Sequence, residues 1–173
     1  MSLTHIPFEE GQKNLDWHGL MKAIKDGHKL PKAEIGDTFL YRDSDTLLSR
    51  SAWVDGLGLA VKSATVFPKN PETEMVMING AVSLFSDKDG ALEALIDFHL
   101  VTKWKTAGDS LLAASLLARE DSSCILIIGS GTVGRSLREA YGALFPNASF
   151  IVWNRTQTNA EKMASALFTI WDM

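Results

Sequence analysis

A glycine-rich run directly after an apolar segment is the part of the sequence best suited to chemistry. The apolar segment, Ile125–Ile128, is typical of a central strand in a parallel sheet, and a helix predicted at 133–145 follows the glycines before Pro146. A tight turn into a helix N-terminus points backbone N–H groups at an anion, so this order favours a pyrophosphate site in a strand–helix–strand unit. A flexible loop is the alternative for glycines alone. The run comprises Gly129, Ser130, Gly131, Thr132, Val133 and Gly134.

The three glycines of this run have separate predicted roles. Gly129 permits the sharp turn from strand to helix, and Gly131 lets the backbone approach a pyrophosphate. Gly134 lets the following helix pack closely against the strand. All six residues of the run are therefore predicted to bind the cofactor.

The residues after the second strand of this unit indicate which nucleotide is bound. That strand is predicted over Ser149–Trp153, and no carboxylate follows it to accept hydrogen bonds from the ribose 2′-hydroxyl of NAD. Arg155 can instead donate two parallel hydrogen bonds to a 2′-phosphate, and Asn154 and Thr156 can add neutral donors. We therefore expect NADP, with NAD as the alternative. The competing interpretation is that Arg155 is a solvated loop residue.

Composition and charge limit the kinds of protein that this chain can be. Of its 173 residues 46% are hydrophobic and 22% are charged, which is typical of a globular domain with a sizeable core. The net charge of −4 argues against a nucleic-acid or anionic-membrane surface. We find no signal peptide pattern and no apolar stretch near the length of a membrane span. Cys124 is predicted to be a buried thiol in a cytoplasmic protein, and no metal site is expected.

The polar segment Glu120–Ser123 divides the chain into two predicted domains. Residues 1–120 are predicted to form a mixed α+β domain, and residues 121–173 the first part of a nucleotide-binding domain, so the fold class is α/β. An amphipathic helix from Trp17, capped by Asn14 or Asp16, opens the first domain. The strands and the long helix that follow are predicted at Thr38–Tyr41, Thr46–Arg50, Leu57–Val61, Met75–Ser86, Ala91–Asp97 and Leu100–Ala118, with a turn at Arg42–Asp45.

Three segments together resemble the ornithine cyclodeaminase/mu-crystallin family. Gly58–Pro71 is similar to the family's lysine-bearing strand, and Val101–Ala107 is similar to its threonine, basic, threonine, alanine helix start. Leu117–Ser122 then leads into the glycine run, and the order and spacing agree from about 58 to 156. The resemblance implies an N-terminal substrate-binding and dimerisation domain followed by a Rossmann-type NAD(P)-binding domain, incomplete in this chain. It also implies a homodimer formed through the sheet of the first domain.

The resemblance implies roles for three basic residues. Lys62 matches a lysine that is expected to bind the substrate carboxylate and to assist proton transfer at the nitrogen-bearing carbon. A strand lysine that is partly desolvated can exchange a proton more readily, although a packed stem with a solvated ammonium is the alternative. Lys105 falls where most of the family has a carboxylate-binding arginine. The family also has an arginine near the position of Lys32–Glu34, where this sequence offers none, and Arg50 could replace it from a neighbouring strand.

Three functions follow as hypotheses from this resemblance. The first is NADPH-dependent reduction of a cyclic or open imine (ketimine) of a small amino acid. The second is ornithine cyclodeaminase activity, which yields proline and ammonia with recycled NAD. The third is a truncated, non-catalytic family member, because only two strands of the parallel sheet precede Met173 and Ala164–Met173 resembles no continuation of the fold. Expected partners are a small amino-acid-derived substrate and a second copy of the chain, without nucleic acid or membrane.

Overall fold

The computed structural model describes residues 3–165 and divides the chain into two compact units. We call Met1–Leu15 with Asp26–Thr102 the sheet unit, and Asp16–Lys25 with Lys103–Met173 the βαβ unit. The predicted domain bounds, 1–120 and 121–173, stay a prediction. In chain order the elements are β1 Thr4–Ile6, α1 Phe8–Lys13, α2 Trp17–Gly27, β2 Glu34–Arg42, β3 Asp45–Val54, β4 Gly58–Val66, a 3-10 turn Asn70–Thr73, β5 Ile78–Phe85, β6 Leu92–Asp97, α3 Phe98–Leu117, β7 Cys124–Ile128, α4 Thr132–Leu144, β8 Ser149–Trp153 and α5 Gln157–Ser165.

The sheet unit contains a six-stranded sheet in the order β1-β6-β5-β4-β3-β2. Strand β1 is parallel to β6, and all other neighbouring strands are antiparallel. The β2–β3 hairpin reverses at Asp43, whose φ of 51° is tolerated by a short polar side chain. Its end is fixed by Arg42, which donates a hydrogen bond of 2.8 Å to Asp45. The predicted turn is therefore confirmed, and both strands are longer than predicted.

One face of this sheet carries the core of the unit. Strand alternation places Ala64, Val82 and Ala94 on that face, where they are buried together with Phe98 and Leu100 of α3. A Cβ atom on Gly80 would lie 2.5 Å from the Phe98 ring and would overlap the Ser63 carbonyl oxygen. The first residues of α3 therefore pack directly on the sheet.

The helix predicted from Trp17 is confirmed as α2, and Asp16 rather than Asn14 caps it. The Gly19 N–H donates to Asp16 Oδ1 at 2.8 Å. The predictions at 57–61, 75–86, 91–97 and 100–118 correspond to β4, β5, β6 and α3. Four short elements were not predicted, namely β1, α1, the 3-10 turn and α5. Strand β1 has only three residues and depends on pairing with β6, which local sequence does not reveal.

The βαβ unit contains parallel strands β7 and β8, paired in register from Cys124 with Ser149 to Ile128 with Trp153. Helix α4 joins them, and Ile127 is buried. The face of the two strands opposite Ile127 exposes four apolar side chains in the described residues: Leu126, Ile128, Ile151 and Trp153.

The prediction of a buried Cys124 is wrong, because its side chain is exposed. Alternation along β7 places Cys124 on the same face as Leu126 and Ile128, and that face is open in the described residues. The apolar sequence of β7 predicts that both faces of the strand are buried, whereas the described residues cover only one of them. The prediction that Ala164–Met173 does not continue the fold concerns a segment that, from residue 166 onward, lies outside the described residues.

Within residues 3–165, no helix is both long enough and apolar enough to cross a bilayer.

Candidate substrate and nucleotide sites

Lys62 lies on strand β4 and points to the face of the sheet that α3 covers. Its ammonium donates a hydrogen bond of 3.1 Å to the Thr102 hydroxyl and lies 4.6 Å from the centroid of the Phe98 ring. Phe98 and Thr102 are four residues apart on α3, so both occupy one side of that helix. The half-buried lysine is thus held by a polar and an aromatic contact, which orients its charge.

Arg50 is the direct neighbour of Lys62 across the β3–β4 pairing. Directly paired residues of an antiparallel sheet project from the same face, so both cations share the face against α3. On its other side Arg50 pairs with Asp37 of β2. The Arg50 Nε and Nη2 groups donate to the two Asp37 carboxylate oxygens at 2.7 and 2.6 Å.

The Asp37–Arg50 pair is exposed, with 59% of the arginine side chain and 28% of the aspartate side chain accessible to solvent. The hydrogen bonds from Arg50 lower the pKa of the Asp37 carboxyl below its usual range. The same hydrogen bonds raise the pKa of Arg50. Both groups are therefore charged near neutral pH, and with Lys62 they form a row of three charges across β2, β3 and β4. We call this the charged row.

Sequence reasoning selected Lys62 and Arg50 but missed Thr102, Phe98 and Asp37 as their partners. Arg42 pairs with Asp45 at the predicted turn, and counting outward along both strands from there pairs Asp37 with Arg50. This contact could therefore have been predicted from the sequence. The contacts of Lys62 with α3 had no such signal, because they depend on how a distant helix packs.

Lys105 belongs to the βαβ unit, where it lies on α3 with 66% of its side chain exposed. It forms an ion pair with Asp109 one helical turn later. The neighbouring Lys103 is mostly buried and pairs with Glu139 at 2.8 Å. Lys105 is thus accessible to a ligand, and its substrate-binding role stays a prediction.

The glycine turn connects β7 to α4 with the geometry that an anion site requires. Gly129 has a φ of 104°, which side-chain-bearing residues rarely adopt. A Cβ atom on Gly134 would overlap the Gly129 carbonyl oxygen, whereas Cβ atoms on Gly129 or Gly131 would meet no atom within 4 Å. Close packing thus explains Gly134, and the open space beside Gly131 leaves room for a phosphate.

Gly131 is the N-cap of α4 and makes no side-chain capping hydrogen bond. The helix begins at Thr132, followed by the exposed Val133, so its first amides face a position without a side-chain acceptor. A helix N-terminus of this kind binds anions through its N–H groups and its dipole. These residues therefore fit the pyrophosphate of a dinucleotide.

The end of β8 is tied to the glycine turn. The Trp153 carbonyl accepts a hydrogen bond of 2.7 Å from the Gly129 N–H. The Asn154 Oδ1 atom accepts a hydrogen bond of 3.4 Å from the backbone N–H of the buried Ser130. The Asn154 amide also donates to the Thr156 carbonyl at 3.0 Å. Arg155 is exposed and has no ion pair among the described residues, so its guanidinium is accessible to a ligand beside the turn.

The βαβ unit has the architecture of a nucleotide-binding α/β unit: a strand, a glycine turn, a helix and a second parallel strand followed by an arginine. It is joined in sequence to a sheet unit that presents a lysine. The sequence of residues 52–172 matches the model of the ornithine cyclodeaminase/mu-crystallin family. The chain belongs to this family. The match includes Lys62, Lys105 and the glycine run, while Arg50 and Asp37 precede it.

Among similar proteins is Delta(1)-pyrroline-2-carboxylate reductase of Paracoccus denitrificans, 42% identical over 163 residues, which cover 94% of this chain and 52% of the reductase. An archaeal alanine dehydrogenase dimer with bound NAD has a TM-score of 0.88 at 23% identity, over 99% of this chain and 54% of that one. The Thermococcus litoralis Delta(1)-pyrroline-2-carboxylate reductase in complex with NADH and L-proline has a TM-score of 0.81 at 22% identity, over 96% and 54%. At these identities the structures establish the fold, an α/β chain with a Rossmann-type unit. This chain spans about half the length of each.

Proposed function

We propose that the protein reduces a small cyclic or open imine (ketimine) of an amino acid with NADPH. The observation that carries the proposal is the Lys62 ammonium, oriented by Thr102 and Phe98 and placed next to Arg50 on one face of the sheet. The similarity to a pyrroline-carboxylate reductase supports imine reduction over the alternative cyclodeaminase activity.

The chemistry assigns separate tasks to these residues. A bound nicotinamide nucleotide would supply a hydride to the imine carbon. Arg50 and Lys62 bind the substrate carboxylate through charge-assisted hydrogen bonds, which fixes the position of the adjacent carbon. Lys62 also provides the proton that the imine nitrogen gains as the C=N bond becomes a C–N bond, and it regains a proton from solvent. Lys105, an exposed lysine of the βαβ unit, is a further proposed substrate-binding residue.

The nucleotide is bound by the glycine turn and by the segment after β8. Gly129, Ser130, Gly131, Thr132, Val133 and Gly134 surround the pyrophosphate at the start of α4. Arg155 grips the 2′-phosphate with Asn154 and Thr156 beside it, which makes NADP the proposed cofactor. NAD is the alternative, since the two structural relatives contain NAD and NADH.

A second copy of the chain is the proposed partner. The sheet face opposite Lys62 exposes Leu40 (59%) and Leu47 (39%), which are direct neighbours in the β2–β3 pairing. Burial of such a surface in a homodimer would remove it from water. One structural relative is described as a dimer. We further propose that the protein is located in the cytoplasm.

Nucleotide titrations test the cofactor assignment. Tryptophan emission is followed while NADPH or NADH is added, because Trp153 ends β8 directly before the proposed ribose site. We expect tighter binding of NADPH, and Arg155→Ala should remove that preference by weakening NADPH about tenfold or more while leaving NADH nearly unchanged. The control is Arg119→Ala, because Arg119 is also an exposed arginine and pairs with Asp121 before β7. Absence of any response to either nucleotide would refute the site.

Turnover tests the reaction itself. Oxidation of NADPH in the presence of Δ1-pyrroline-2-carboxylate is expected, with formation of proline. Release of ammonia from ornithine without NADPH consumption would establish the cyclodeaminase alternative instead.

A further inference from the structure

We infer that Asn154 is a positioning residue that ties the glycine turn to the segment carrying Arg155, and that it thereby raises the affinity for NADPH and for NADH alike. This inference rests on the proposed function, because it concerns the proposed nucleotide site. The sequence predicts a narrower role for Asn154, that of a neutral donor to the 2′-phosphate. Such a donor would affect NADPH alone, since NADH has no 2′-phosphate.

The first argument is the position of Asn154 at the end of the strand pairing. Strands β7 and β8 are paired up to Ile128 and Trp153, so the glycine turn and Asn154 begin where the ladder ends. One backbone hydrogen bond, from the Gly129 N–H to the Trp153 carbonyl at 2.7 Å, continues beyond it. At this carboxyl edge of a parallel sheet the connections separate and leave the crevice that receives a ligand. A side chain that bridges the two segments there therefore controls the shape of the crevice.

The second argument is that both ends of the Asn154 amide are engaged. Its Oδ1 atom accepts from the Ser130 N–H at 3.4 Å, and its Nδ2 group donates to the Thr156 carbonyl at 3.0 Å. These two partners fix the orientation of the amide, because a half-turn would set N–H against N–H and oxygen against oxygen. Asn154 thus joins the turn before α4 to the residue that follows Arg155.

The third argument is the burial of the residue that donates to Asn154. Ser130 is 6% exposed and Asn154 is half-buried, whereas Arg155 is exposed. Without the Asn154 oxygen, the N–H of a buried residue would lose its acceptor, which is costly enough to shift the local backbone. A shifted turn displaces the N–H groups from Gly131 onward that are proposed to bind the pyrophosphate. NADPH and NADH share the pyrophosphate, so both should bind more weakly.

The test compares dissociation constants of the full chain for NADPH and NADH, measured by calorimetry. Asn154→Leu keeps approximately the size of the side chain and removes both hydrogen bonds. We expect it to weaken NADH about threefold to tenfold, the effect of losing neutral hydrogen bonds, and to weaken NADPH at least as much. Asn154→Ala takes its place if circular dichroism shows that the leucine variant is unfolded.

Asn154→Asp separates the two hydrogen bonds of the amide. A carboxylate of the same shape still accepts from the Ser130 N–H but has no N–H for the Thr156 carbonyl. The affinity for NADH should therefore return to near that of the wild type. NADPH should remain weakened, because the carboxylate also repels the 2′-phosphate. The matched control is Asn147→Leu, the same substitution at an exposed asparagine before the other end of β8, and it should change neither constant.

The outcomes distinguish the role of Asn154 from the proposed function. If Asn154→Leu leaves NADH binding unchanged, or if Asn154→Asp does not restore it, the positioning role is refuted while the nucleotide site stands. If the wild type binds neither nucleotide, the proposed site is refuted and the role of Asn154 with it.

Discussion

At the scale of single residues, Lys62 shows what a sequence can and cannot indicate. Its strand position and its similarity to a family lysine were sufficient to select it. Its two partners on α3 lie 36 and 40 positions further along the chain, and only the packing of the helix on the sheet brings them to it. Propensity and periodicity carry no information about such a contact. The residue was therefore predictable, and the orientation of its ammonium was not.

Replacement of Lys62 by Met tests its role in binding the carboxylate. The variant keeps an unbranched stem for the Phe98 ring but loses the charge, so affinity for L-proline should fall about tenfold to a hundredfold, the range for a charge-assisted hydrogen bond. Thr102→Val removes only the hydroxyl that accepts from Lys62 and should weaken binding about fivefold. Lys69→Met, an exposed lysine outside the row, serves as the control for both. Calorimetry gives the constants; equal affinities for Lys62→Met and the wild type would contradict the assignment.

The Asp37–Arg50 pair predicts a specific dependence on pH. Because Arg50 lowers the pKa of Asp37 in the folded state, the pair stabilises the fold fully above the ordinary pKa of an aspartate. That contribution is lost as the pH falls through the lower folded-state pKa. Carbon NMR of the Asp37 carboxyl should therefore show a midpoint below the usual range, and Arg50→Ala should raise it. Arg42→Ala, which breaks the neighbouring pair, should leave the midpoint where it is.

At the scale of elements, the sequence predicted secondary structure most accurately where contacts within one short segment determine it. The order of β7, glycine turn, α4 and β8 was predicted almost residue by residue, since steric demands at Gly129 and Gly134 act within a few residues. The burial of Cys124 was predicted wrongly because it depends on what covers a face of the sheet. The lengths of β2 and β3 were underestimated for a similar reason, as pairing extends both strands beyond their apolar centres.

Two substitutions in the glycine turn should have different consequences. Gly134→Ala forces a Cβ atom onto the Gly129 carbonyl oxygen, a rigid backbone group, and should destabilise the chain by about 1–3 kcal/mol. Gly131→Ala meets no atom within 4 Å, so thermal unfolding should be nearly unchanged. Its methyl group would occupy the space proposed for the phosphate, and NADPH affinity should fall. Calorimetric melting together with nucleotide titration separates the two effects, and an unaltered NADPH affinity in Gly131→Ala would count against a phosphate at that position.

At the scale of the whole molecule, the fold class followed from the sequence, whereas the arrangement of strands did not. The alternation of elements and the glycine run indicated a mixed α+β domain followed by a parallel sheet. The parallel addition of β1 to β6 joins two segments ninety positions apart, and no local pattern signals it. The open apolar face of the six-stranded sheet likewise depends on how its strands pair, and it is the basis for the proposed homodimer.

The double substitution Leu40→Asp and Leu47→Asp tests that homodimer. The two leucines are paired neighbours on the sheet face opposite Lys62, and burial of each in an interface would contribute about 1.5–3 kcal/mol. Introducing two carboxylates there should dissociate the dimer, so sedimentation velocity is expected to change from a dimer to a species of 18.9 kDa. Tyr41→Asp places one charge at an exposed position on the opposite face of the same hairpin and should leave the dimer intact. If the wild type itself sediments at 18.9 kDa, this face has another role; if only Tyr41→Asp dissociates the dimer, the interface lies on the side of Lys62.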